Sequence, residues 1–433
     1  MRPRLRAERG ADVRRARRPL QRLWHRRHQR GHRAGTLGGP MNANANEVVI
    51  TGVGCITPLG LSLEALSAAL REGRSGFGEI ASFDASAYPC RFGAEVLDLE
   101  LADFIESSKT YIDRTSAFAL AACASALRDA HWTGDESVGL LLGTAWGCMD
   151  SLQLFAQKLV EGKPKFVSPL PFTHSYANAP NSLASIEFKL RGFNACLTSG
   201  HVSGLAAVEY ACRRVALGKE KRLLAGGSES LSEPIFHGYC QRGVLSSTRE
   251  PRPYDPASIG MLLGEGAAVV AVEEAESARQ WNTPVLARVL GWASCLGESV
   301  ADGLARSMRD AMARGGLGPG ELDAIVGFGC GSPALDAAEI EAIRAVFGEA
   351  RPALTSVKGW LGEAMGAGGA ISLAAALACL EDRFVPAALP TYGPLPDGVR
   401  LVAGEPLDGA AGTLLVNAAD PSGACTSLLL ASA

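Results

Sequence analysis

Residues 192–227 read GFNACLTSGHVSGLAAVEYACRRVALGKEKRLLAGG, and the rest of the chain is organised around this stretch. Gly192 and Asn194 mark a turn. A short apolar segment then leads to a small-residue corner formed by Ser199, Gly200, His201, Val202, Ser203 and Gly204. Leu205, Val208, Cys212 and Val215 follow at helical spacing, and Gly218 is a stop signal. Residues 222–225 read as a strand closed by Gly226 and Gly227. The unit is strand, elbow, helix, strand, with His201 at the elbow. An elbow of this kind holds one side chain at a helix N-terminus, where unpaired backbone N–H groups favour negative charge. An imidazole there is expected to stay neutral.

Composition sets the outer limits. A chain of 433 residues, 47% of them hydrophobic, buries a large core as two domains or one large α/β unit. Residues 1–40 hold thirteen Arg and only Glu8 and Asp12 as acids. Outside them 29 basic residues face 43 acidic ones, a balance of −14. An acidic body argues against nucleic-acid binding. The basic head is open to three readings: a targeting segment, an arm for nucleic acid or a membrane surface, or a stretch upstream of a true start at Met41. The last is preferred, because Met41 directly precedes a polar linker and the first strand. In each case the head is expected to be disordered. Eleven scattered Cys without metal-ligand spacing suit a reducing cytoplasm and no metal site. Residues 364–380 are uncharged but short and rich in Gly and Ala, which fits a buried helix better than a membrane span.

Several motifs carry a family resemblance. Residues 51–60, TGVGCITPLG, match the T-G-x-G-x-V-T-P-x-G opening of the β-ketoacyl synthases, and a phosphate-loop reading lacks the further glycine and helix in register. Residues 83–89 resemble that family's F-D-A-S-x-x-P loop. Residues 252–255 and 264–270 resemble its R-P-F-D and G-E-G-A pieces. The elbow resembles its nucleophile region, where a Cys stands seven residues after the Asn of a G-P-N turn. Asn194 plus seven is His201, with Ser203 and Gly204 keeping the S-G that follows. The resemblance covers about residues 46–433. It implies a thiolase-like α/β fold, a five-layer αβαβα sandwich of two duplicated halves, divided here at 46–284 and 285–433.

In that family a Cys thiolate takes the acyl chain, two His stabilise the enolate left by decarboxylation, and backbone N–H groups hold the thioester oxygen. Counting back from Asp336, the first His position falls on Phe328. In residues 358–369, KGWLGEAMGAGG, the second falls on Glu363. The family's G-F-G-G-T-N loop corresponds to residues 420–425, DPSGAC, without its aromatic gate. Lys358, Trp360, Cys330 and Pro421 are expected to line the pocket; a pocket plugged by Phe328 and Trp360 would favour a subunit without chemistry of its own, and a His201–Glu363 hydrogen bond facing an open tunnel an enzyme of altered chemistry. Phe328 donates no hydrogen bond. Glu363 repels an enolate if ionised and donates to it only if burial keeps it neutral.

Other residues refill these positions poorly. His131, His174 and His237 read as surface or structural. Cys196 would require a five-residue shift of register, and Cys330 reads as a small buried thiol. The resemblance therefore implies a condensation-inactive subunit of chain-length-factor type. Its expected partners are an active ketosynthase, or a second copy of itself, and an acyl carrier protein. No cofactor, nucleic acid or membrane is expected, and the location is cytoplasmic. The alternative is an enzyme of altered chemistry that uses His201 and Glu363 as a base–acid pair for acyl transfer, cyclisation or hydrolysis.

Overall fold

The computed structural model describes residues 45–433 apart from 134–136, 163, 389–394 and 410. The Arg-rich head, and the disorder expected of it, lie outside the described residues.

Short runs of Val, Ile, Leu, Ala and Gly form strands, most of them buried along most of their length. They are β1 (Val48–Ile56), β2 (Val138–Gly143), β3 (Asn194–Leu197), β4 (Arg222–Glu229), β5 (Gly266–Glu274), β6 (Ala287–Leu296), β7 (Ala324–Val326), β8 (Ala353–Thr355), β9 (Thr413–Ala419) and β10 (Ala424–Ser432). The helices that matter to the site are α1 (Arg114–Asp129), α2 (Met149–Glu161), α3 (Ser203–Ala216), α4 (Glu233–Gln241), α5 (Val300–Gly315), α6 (Pro333–Phe347) and α7 (Gly368–Asp382).

The strands form one sheet in the order β3-β2-β4-β5-β1-β6-β10-β9-β7-β8, with the short strand Arg400–Leu401 beyond β8. The first five strands run 3-2-4-5-1, and the last five repeat that order as 8-7-9-10-6. Directions repeat too. β2 is parallel to β3 and β4, while β5 is antiparallel to β4 and β1. β7 is parallel to β8 and β9, while β10 is antiparallel to β9 and β6. Helices α1 and α5 follow the first strand of each half, and α3 and α7 follow the third. The duplication, invisible in residue identities, is explicit in the topology. The halves meet along a short antiparallel seam where Val48, Val49 and Ile50 pair with Val289, Arg288 and Ala287.

Helices α3 and α7 pack on each other and on strands of both halves, while α1 lies on β1 and β5 and α5 on β6 and β10. This is the thiolase-like αβαβα sandwich. The uncharged composition of α7 follows from this central place: Gly368 through Leu380 are all buried. By length and composition alone Met365–Asp382 could also cross a membrane. One expectation changes. Gly226 and Gly227 do not close β4, which continues to Glu229. A Cβ at Gly226 would collide with the Ala268 carbonyl, and one at Gly227 would stand 2.7 Å from the Gly366 carbonyl. These glycines permit close approach rather than a turn.

Candidate functional site

The elbow is built from small residues because three backbones converge on it. β3 ends at Leu197, Gly200 takes φ +68°, and a single 3₁₀ turn, Gly200–Val202, runs into α3. The Ser203 hydroxyl donates to the Gly200 carbonyl at 2.6 Å and accepts from the Ser199 N–H at 2.8 Å, which locks the corner. Gly143 at the end of β2 has no room for a Cβ against the Ser203 carbonyl, and Gly204 lies against the Gly366 carbonyl. His201 is thereby fixed at the head of α3 and left 7% exposed.

Phe328 and Glu363 meet His201 there. The Phe328 and His201 ring centres are 6.3 Å apart. The Glu363 backbone is pinned by its N–H to the Leu262 carbonyl and by its carbonyl to the Gly264 N–H. Its side chain, fully buried, lies 2.6 Å from the Lys358 ammonium through Oε2. Lys358 also stands 3.6 Å from the centre of the Phe328 ring, a cation–π contact. Burial alone would push the Glu363 carboxyl up. The Lys358 ammonium, then His201, outweigh burial and hold it well below the usual carboxylate range. The neutral, donating carboxylic acid considered from the sequence is therefore not formed, and Glu363 is an anion.

His201 is held from two further sides. Its Nδ1 stands 3.5 Å from Glu363 Oε1, at the outer limit of contact, and neither atom has another partner. Its Nε2 lies 2.7 Å from the Tyr239 hydroxyl of α4. The Trp146 indole N–H, which can only donate, acts on the Tyr239 oxygen. Burial, followed by the Glu363 charge, raises the Tyr239 phenol, so it keeps its proton.

The loop under Phe328 is clamped by two carboxylates of α6. Glu339 accepts from the Phe328 and Gly329 N–H groups and from the Tyr254 hydroxyl. Asp336 accepts from the Cys330, Gly331 and Tyr254 N–H groups. Burial pushes Asp336 up to about 7 against these bonds.

The backbone N–H of His201 is also occupied. It donates to Asp420 Oδ2 at 3.0 Å from the turn between β9 and β10. Burial opposes ionisation of Asp420, but hydrogen bonds from Ser422 and the His201 N–H hold its carboxyl below the ordinary value. Pro421, expected in the pocket, is instead exposed at the tip of that turn, and Asp420 is the residue that reaches in. Glu229, at the end of β4, plays a matching part at the head of α7. It accepts from the N–H groups of Gly366, Ala145 and Trp146 and from the Thr144 hydroxyl.

Other expectations resolve as follows. Trp360 does not plug the pocket with Phe328. Its indole donates to the Ala387 carbonyl at 2.7 Å and its ring lies against Gly73. Lys358 and Trp360 stand two apart on one helical turn, so they face opposite ways. Cys330 is buried beside the site, and burial with the Asp336 and Glu363 charges drives its thiol well above the usual value. Cys196 lies on β3, donating to the Ala177 carbonyl. His174 packs edge-on against Tyr111, and His237 against Tyr88. His131 borders a separate cavity of about 680 Å³ that shares no residue with the cluster.

The family description "Beta-ketoacyl synthase, N-terminal domain" matches residues 45–278, and "Beta-ketoacyl synthase, C-terminal domain" matches residues 295–391. The chain belongs to the β-ketoacyl synthase family. It is 30% identical over 376 residues to the 3-oxoacyl-[acyl-carrier-protein] synthase 2 of Synechocystis, covering 82% of this chain and 90% of that protein. It is 32% identical over 400 residues to the tetracenomycin polyketide synthase ketoacyl synthase beta subunit of Streptomyces glaucescens, covering 88% and 98%. Among solved structures it resembles the ishigamide ketosynthase/chain length factor, with a TM-score of 0.86, 27% identity, and 90% and 100% coverage.

The structure brings together His201, Phe328 and Glu363, the three positions that sequence spacing singles out. That spacing missed Tyr239, Trp146 and the carboxylate of Asp420. Lys358 with Glu363 carried a usable signal: they are the only charges between Arg351 and Glu381, and opposite charges in a buried run must pair. Asp420 carried a weaker one, an acid at a position where the family's loop has Gly. Tyr239 and Trp146 carried none.

Proposed function

We propose that this chain is a ketosynthase-family subunit of chain-length-factor type, without condensing activity of its own. On this reading it pairs with an active β-ketoacyl synthase and shapes the acyl channel in polyketide, aryl-polyene or specialised fatty-acid biosynthesis. The observation that carries the proposal is that the side chains at the three reactive positions compensate one another. Glu363 is paired with Lys358, Phe328 covers that ammonium, and His201 Nε2 is engaged by Tyr239. No thiolate is offered, and an enolate formed beside Glu363 would meet a negative charge. Loss of a single oxyanion donor costs about 10²–10³ in rate, and here Phe328 and Glu363 stand where two donors are expected.

Two further features support the pairing. The 32% identical tetracenomycin relative is named as a ketoacyl synthase beta subunit. Trp146, Val160, Phe166, Tyr176 and Ile186 are each at least half exposed, and β3 is an end strand of the sheet. Exposed apolar side chains and an unpaired sheet edge suit a second ketosynthase-type subunit. Eleven free cysteines suit a reducing cytoplasm.

The test is co-expression with the neighbouring ketosynthase and an acyl carrier protein, followed by size-exclusion mass and a malonyl-carrier condensation assay. A heterodimer whose turnover is lost with the partner's nucleophile, but survives His201→Ala, supports the proposal. The 3.5 Å approach of His201 to Glu363 favours the second reading, an enzyme of altered chemistry. A homodimer whose turnover is lost on His201→Ala or Glu363→Gln would establish it and remove the first.

A further inference from the structure

We infer that Asp420 is a built-in occupant of the elbow's oxyanion site: its carboxylate holds the place of an acyl oxygen and closes the elbow to thioesters, whatever side chain stands at 201. The inference rests on the proposed reading of the elbow as a silenced condensing site and adds the reason it stays silent.

Four observations converge. The His201 N–H, the donor at the head of α3, is spent on Asp420 Oδ2 at 3.0 Å. The carboxylate lies so close over the elbow that a Cβ on Gly200 would collide with it. The turn is fixed in that pose. Asp420 Oδ1 accepts from the Ser422 N–H at 2.9 Å, the Asp420 N–H reaches the Ala424 carbonyl, and the Gly423 N–H reaches the Asp420 carbonyl. The next residue, Pro421, has no N–H to offer as a second donor. Beside this spot sit two polar side chains at least nine-tenths buried, His201 and Glu363, whose Nδ1 and Oε1 stand 3.5 Å from each other and have no other partner.

The second half of the chain shows what such a contact is for. Gly366 stands in the 3₁₀ turn before α7 as His201 stands in the one before α3. Its N–H is taken by Glu229 at the end of β4, the fourth strand of the first half. Asp420 directly follows β9, the fourth strand of the second half. Each elbow N–H is therefore capped by an acid delivered from the fourth strand of the opposite half. The elbow at Gly366 carries no reactive side chain, and its cap serves structure. Asp420 gives the His201 elbow the same closure.

The experiment uses the full chain, in whatever assembly it purifies, with a thiol installed by His201→Cys. That variant is compared with His201→Cys/Asp420→Ala and His201→Cys/Asp420→Asn. Two rates are read at position 201 by peptide mass spectrometry. One is acylation by an acetyl thioester of N-acetylcysteamine: the thiolate attacks the carbonyl carbon, the carbon–sulfur bond to the leaving group breaks, and the released thiolate takes a proton from water. The other is alkylation by iodoacetamide, which displaces iodide and develops no oxyanion. Removing a nearby negative charge speeds both by freeing thiolate, whereas emptying an oxyanion site speeds acylation alone.

The expected result is that Asp420→Ala raises acylation about 100-fold, in line with one recovered oxyanion donor, and raises alkylation no more than about tenfold. Asp420→Asn, whose amide oxygen still accepts from the elbow, leaves the ratio of acylation to alkylation unchanged. Equal gains in the two rates, or no gain in acylation, overturn the inference. If the Ala variant does not fold, as judged by its melting curve, Asp420→Ser replaces it, with the same outcomes deciding. No partner or carrier enters the test, so its failure leaves the subunit pairing standing, and failure of pairing leaves this result readable.

Discussion

Replacing Lys358 by Met leaves the Glu363 anion buried without its cation. Lys358 is 3% exposed and Glu363 not at all, and their charged atoms are 2.6 Å apart. At an effective dielectric of about 20, the gross attraction is about 6 kcal/mol. Desolvation of both ions offsets much of it, so the pair adds little net stability, yet removal of one partner costs about 3–5 kcal/mol. Phe328 contributes up to about 2 kcal/mol to the ammonium through its ring face. We expect Lys358→Met to lose about 3–5 kcal/mol and Lys358→Met/Glu363→Leu to recover at least half of that loss. The assay is urea unfolding followed by circular dichroism, with reversibility checked and the four corners of the double-mutant cycle compared. pH supplies a second readout. The Glu363 carboxyl is lowered from 4.5 on folding, so its contribution is present above pH about 4.5 and is lost as pH falls through the folded value. The stability gap between the native chain and Glu363→Gln should be flat near neutrality and close in acid. Single losses that simply add in the double variant, with coupling below about 0.5 kcal/mol, would refute the argument.

Three other outcomes follow from the same contacts. Tyr239→Phe removes the partner of His201 Nε2 and should cost about 0.5–1.5 kcal/mol, read as a lower urea midpoint. Glu229→Ala strands the Ala145, Trp146 and Gly366 N–H groups, and should cost at least about 3 kcal/mol in a melting series. Burial pushes Glu229 up to about 7. Its stabilisation is therefore full below pH about 4.5 and fades as pH rises through 7, and Glu229→Gln should flatten that part of the stability profile. Gly143→Ala drives a Cβ into the Ser203 carbonyl. It should lower stability by about 1–3 kcal/mol, read as a lower melting temperature.

What the sequence revealed was local. The elbow, the 51–60 opening and the run from Lys358 to Gly369 each place several residues at fixed short spacings, and spacing survives without coordinates. The sequence does not show that β4 continues through Gly226 to Glu229, because a glycine that ends a strand and one that admits a neighbouring backbone look alike in one dimension. Trp360 turns away from the pocket that Lys358 enters, because two residues on one helical turn face opposite ways, and the motif spacing alone does not show which of them faces in. Asp420 and Tyr239 reach His201 from 219 and 38 residues away. No pattern within one element predicts such a meeting, because it depends on how two halves fold against each other. The duplication, implied by the family resemblance, leaves no trace in residue identities for a related reason: strand order constrains backbone hydrogen bonding and burial, not residue identity.

The repeated 3-2-4-5-1 order also sets how the chain can come apart. Each half carries the acid that closes the other's corner, Asp420 at His201 and Glu229 at Gly366, so neither half completes its own turn alone. Two copies of one unit, locked crosswise, become a single cooperative body.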